Sequence, residues 1–159
     1  KTSNSGRGAN MVAVEESQLV ELLRELVSKE RAGERLLERA ARNQQDPREV
    51  AYLWNLATEW RDHARILSRH RREIDRNVED VPYPMWPRGQ GPTPKEALEE
   101  AFATTRSIAG DYRSCVPLVE EPYLRKFLAI LAEEHDRGAM QLESLANGLC
   151  LFEDPDTAD

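Results

Sequence analysis

Only two cysteines occur in 159 residues, Cys115 and Cys150, too few for a disulfide framework and without the paired spacing of a zinc site. Aromatic residues are also scarce at 6%, and with 32% charged residues this composition fits a helix-rich chain better than a strand-rich one. Positive charge is in deficit: 22 Lys+Arg against 29 Asp+Glu leave a net −7, which argues against a dedicated nucleic-acid or anionic-membrane binder. No apolar run approaches the ~18 residues of a membrane span, and the opening stretch Lys1 to Asn10 has no hydrophobic region of the secretory kind. The expected location is therefore cytoplasmic. A nucleophile–base pair, a phosphate loop and a glycine-rich cofactor motif are all missing, so any catalysis here would need a metal.

Four segments carry apolar residues at spacings of three and four. The first stripe is Leu19, Leu22, Leu23, Leu26, Gly33, Leu37 and Ala40; the second is Leu53, Leu56, Trp60, His63 and Leu67. The third runs through Leu98, Phe102, Thr105, Ala109, Tyr112 and Val116, and the fourth through Leu124, Leu128, Leu131, His135, Gly138, Leu142 and Leu145. Asp46-Pro47-Arg48-Glu49, Thr93-Pro94-Lys95-Glu96 and Glu121-Pro122 mark helix starts, and Asn147-Gly148 marks a stop. The pattern predicts helices over about residues 17–43, 47–76, 94–116 and 122–147, after a flexible segment 1–16 and before a tail 148–159. Five of the nine prolines fall between residues 82 and 94, so the stretch 77–93 is expected to be an extended crossover. Two helical hairpins joined by this long connection make an all-α four-helix bundle.

Displacing the sequence against itself by 75 residues brings Pro47 onto Pro122, Leu53 onto Leu128, Leu56 onto Leu131, Ala64 onto Ala139 and Leu67 onto Leu142. The chain thus reads as a duplicated hairpin. The residues that interrupt the stripes are the informative ones, because a buried charge is costly unless paired, hydrogen-bonded or coordinating a metal. Glu30 interrupts the first helix, His63 the second and His135 the fourth; under the 75-residue repeat Glu30 matches Thr105, Trp60 matches His135 and His63 matches Gly138.

The run from Glu30 to Leu37, the Asp46-Pro47 turn and Leu56-Ala-Thr-Glu-Trp-Arg-Asp-His-Ala64 together resemble a hairpin of the ferritin-like superfamily, in particular rubrerythrin-type and small bacterial bundles. The resemblance covers about residues 17–147 and implies a site in which each hairpin gives a Glu from one helix and a Glu-x-x-His from the other. Of those six positions only Glu30 and His63 keep the family residue, while Thr105, Trp60, His135 and Gly138 depart from it. A competent di-iron oxidase is not expected.

Two readings of the remaining layer stay open. One is a single divalent metal, Fe, Zn or Mn, on Glu30, His63 and His135, with Glu59 and Glu134 as weaker candidates one residue off the expected positions. The other is a hydrogen-bonded relic in which Glu30 pairs with one or both histidines and no cofactor is held, a reading favoured by the lost ligands. Trp60 is expected to plug the vacated space, and Tyr112 to sit in the core with its hydroxyl bonded. The alternative function is a non-catalytic bundle that binds another protein or self-associates; neither nucleic acid nor membrane is an expected partner. Arg69-His70-Arg71-Arg72 reads as a solvated helix end, and Tyr83, Pro84, Trp86 and Pro87 as packing for the crossover.

Overall fold

The computed structural model describes residues 5–152, with side chains from residue 16 onward. Its helices are α1 (Ser5–Ala41), α2 (Pro47–Ile74), α3 (Pro94–Cys115) and α4 (Pro122–Ala146), with a short 3₁₀ turn at Val116–Leu118. The described residues contain no strand, and the protein is an all-α bundle of four helices. None of the helices is long and apolar enough to cross a membrane.

Local chemistry fixes most of the boundaries. Asp46 accepts from the Arg48 backbone N–H at 2.9 Å with Pro47 at the first helical position, and Glu121 accepts from Tyr123 and Leu124 ahead of Pro122. Thr93 and Glu96 close a reciprocal capping box at 3.2 Å. α4 ends as expected: Gly148 takes φ +75°, and Leu149 and Gly148 donate back to the Ser144 and Leu145 carbonyls. α1 departs from expectation, starting at Ser5 instead of near residue 17. The stretch before residue 17 lacks proline, so a helix nucleated by the strong downstream stripe propagates back through it despite two glycines.

α1 packs along both α2 and α3, and α3 packs along α4. The core is aliphatic and dense, with Leu23, Leu26, Leu37, Leu53, Leu67, Ile108, Leu128 and Leu142 fully buried. Each contributes about 1.5–3 kcal/mol relative to exposure. No Cα of α2 comes within 8 Å of one in α4, and a Tyr52–Gln141 hydrogen bond spans the groove that results.

Arginines tie down the proline-rich connection. Arg31 donates to the Val81 carbonyl and reaches Asp80 at 3.2 Å, Arg71 donates to the Glu79 carbonyl at 2.8 Å, and Arg39 donates to that of Pro92 at 2.9 Å. Tyr83 lies under Arg31 and Arg35, and Trp86 under Arg39, so both rings pack the connection against α1 as the sequence suggests. Met85 between them is almost fully exposed. Arg71, read from sequence as part of a solvated end, is instead buried by its bond to the crossover.

Candidate metal centre

Glu30 reaches the interior because it lies on the same face of α1 as Leu23, Leu26 and Leu37, and it is fully buried. An ionised carboxylate there needs several partners. Its Oε1 accepts from the Tyr112 hydroxyl of α3 at 2.6 Å and contacts His135 Nε2 of α4 at 2.8 Å. His63 Nδ1 of α2 approaches the same oxygen at 3.4 Å without hydrogen-bond alignment. All four helices therefore meet at one oxygen atom. Glu30, His63 and His135 each bring a ligand-type atom within 4.8 Å of the others, so the cluster has the composition and spacing to hold one metal ion.

Three atoms of this cluster are buried with no hydrogen-bond partner: Glu30 Oε2, His63 Nδ1 and His135 Nδ1. Burial pushes the Glu30 carboxyl up, but His135 and then His63 outweigh it and hold the group below its ordinary range. Burial likewise works to lower His63, and its contact with Glu30, aided by Glu134 and Glu59, raises it above its ordinary value. Tyr112 is held well above the usual phenol range by burial first and the Glu30 charge second, which keeps it a hydroxyl donor.

The surroundings explain why the layer holds so few carboxylates. Trp60 is 2% exposed, and its ring centroid lies 5.0 Å from that of His135. On its other side the indole covers Gly33 so closely that a Cβ there would stand 2.0 Å from Trp60 Cζ3. Thr105 is buried and spends its hydroxyl on the Ala101 carbonyl at 2.8 Å, and at Gly138 a Cβ would face only the Thr105 methyl at 3.9 Å. Glu59 and Glu134 do not join the cluster. They line the groove between α2 and α4, a cavity of about 470 Å³, where their charges still reach His63.

No family model and no curated protein matches this chain.

The site residues proposed from sequence thus separate into a buried trio and two groove carboxylates. Tyr112 joins the trio as a fourth member, and its position seven residues after Thr105 on one stripe was the available signal. The Gly33–Trp60 stacking had no sequence signal beyond a glycine inside an apolar face.

Proposed function

We propose that the protein is a ferritin-like bundle, two helical hairpins joined by the long crossover, that has lost two-metal chemistry and holds one divalent ion on Glu30, His63 and His135. The convergence of Glu30, His63 and His135, whose ligand-type atoms lie within 4.8 Å of one another, carries this reading, with Glu30 Oε2 and His63 Nδ1 buried and without a hydrogen-bond partner. Such orphans cost about 1–3 kcal/mol each, which coordination offsets. One carboxylate and two imidazoles suit Fe(II), Zn(II) or Mn(II), and such an ion would supply Lewis acidity or, for iron, one-electron chemistry. A second ion does not fit, since Trp60 occupies its space and Thr105 and Gly138 offer no ligand. Around the ion, Tyr112 would orient Glu30 by its 2.6 Å bond, and the α2–α4 groove would give access past Glu59 and Glu134. The 75-residue repeat and the paired proline-capped helix starts support the family placement.

The 2.8 Å contact of His135 with Glu30 favours a second reading, a self-satisfied relic in a non-catalytic bundle. Metal analysis separates the two. Chelator-free protein should carry about one equivalent of metal, and an ion at a hundred times its Kd should raise Tm by roughly 5–10 °C. Glu30→Ala and His135→Ala should abolish both effects. Protein indifferent to Zn(II), Mn(II), Fe(II) and chelator is the relic.

A further inference from the structure

Arg31 of α1 and Arg61, Arg65, Ser68 and Arg72 of α2 line one open cavity of about 270 Å³, together with Asp80 and Tyr83 of the crossover. The α2 members recur at intervals of four, three and four residues, so one helical stripe presents them together. Four guanidiniums share this cavity, and four carboxylates stand near them. Their counter-charges are unevenly shared. Asp80 takes Arg31 at 3.2 Å, Glu34 and Glu38 take Arg61 at 2.7 and 3.3 Å, and exposed Asp62 stands 3.7 Å from Arg65. Among the described residues Arg72 has no ion pair within 4.0 Å.

A second, independent observation points to a ligand. Ser68 is only 4% exposed, yet its hydroxyl has no hydrogen-bond partner. A helical serine commonly returns its hydroxyl to the carbonyl four residues back, as Ser114 and Ser144 do here at 3.1 Å. Ser68 does not, and Arg31 Nε, on the same cavity, is also buried and unpartnered. A guanidinium without an ion pair at Arg72, with the unpartnered Ser68 hydroxyl and Arg31 Nε on the same cavity, matches an oxyanion with several acceptor oxygens. We propose that this cavity binds the phosphate group of a small molecule, at a site separate from the Glu30 cluster. The volume lies just under that of drug-sized pockets, which leaves room for a phosphate group and a compact organic substituent.

Binding of inorganic phosphate and of phenyl phosphate, followed by calorimetry on the whole chain at ionic strength held constant with chloride, tests this. Both should bind saturably. Arg72→Gln should weaken binding about tenfold and Ser68→Ala about fivefold, whereas Arg69→Gln, which removes the same charge outside the cavity, should change it less than about twofold. Tighter binding of phenyl phosphate assigns the site to an organic phosphate, and equal affinity assigns it to the free ion; either supports the site. Arg72 is exposed and unpaired, so its variant should fold, and a circular-dichroism melt checks this. Failure to saturate by about 50 mM, or equal weakening by Arg69→Gln and Arg72→Gln, overturns the proposal, since either result is what unspecific charge attraction gives.

Discussion

Glu30 draws its surroundings together because one buried oxygen answers three groups from three other helices. The trio was legible in the sequence through one rule: a charged or imidazole side chain inside an apolar stripe has to be explained by what it meets. That rule gives a face and a level but no depth. It could not tell that Glu59 and Glu134 stop at the groove while Tyr112 reaches the carboxylate. Gly33 shows the same limit, for its need to be glycine comes from a Trp60 ring 27 residues away. Gly33→Ala should therefore destabilise the protein by about 1–3 kcal/mol or more despite alanine's better helix propensity, because the indole has no room to yield. A denaturant midpoint at or above that of the parent protein would refute the stacking. Cys115 gives a pH-dependent prediction. Burial first, then Asp111 and Glu25, push its thiol up to about 12, while Cys150 is exposed. The folded state thus holds a proton that the unfolded chain releases near 9, so stability should fall as pH rises from about 9 toward 12. At pH 8 iodoacetamide should label Cys150 and leave Cys115 until the chain unfolds, as peptide mass spectrometry would show.

Helices were legible where short-range chemistry decides them. Three starts carry a capping residue followed by proline, and each cap forms the bond its type implies, so the starts of α2, α3 and α4 fall where the sequence puts them. The start of α1 was not legible, because nothing in the residues before 17 either stops a helix or shows a buried face. The crossover was legible as irregular backbone. What holds it was not, since Arg31, Arg39 and Arg71 reach backbone carbonyls many positions distant, and no spacing rule pairs a guanidinium with a carbonyl. Thr93→Ala removes the side-chain half of the α3 capping box, leaving the backbone N–H of position 93 still able to donate to Glu96, and should cost about 1 kcal/mol. Glu96→Gln should cost less, because an amide can still accept from the Thr93 backbone N–H. Equal losses for the two variants in chemical unfolding would show that charge at the helix end matters more than the cap geometry.

At the scale of the whole molecule, helices from both ends of the chain are joined at a polar layer instead of an apolar one. The α2 and α4 backbones stay more than 8 Å apart, and at this level the two helices meet through side chains: Trp60 and His63 of α2 both pack on the His135 ring of α4, and both histidines face Glu30 of α1. A bundle tied in this way has one point whose loss is felt by every helix. Glu30→Ala would leave the Tyr112 hydroxyl and His135 Nε2 buried and unpaired, and breaking such a network typically costs about 3–5 kcal/mol. A leucine at position 30 would restore volume but not the partners, so Glu30→Leu should recover only part of that loss. Hydrogen exchange can locate it. Amides flanking positions 30, 63, 112 and 135 should lose protection together in Glu30→Ala, because their slowest exchange requires opening of a shared unit. Loss confined to α1 would mean that the other helices are held by their aliphatic contacts alone and that the polar layer joins nothing. On the one-ion proposal, adding Zn(II) or Mn(II) to the parent protein should raise protection at the same four places, since an ion that binds only the folded state stabilises whatever must open to release it, and unchanged protection would count against that proposal.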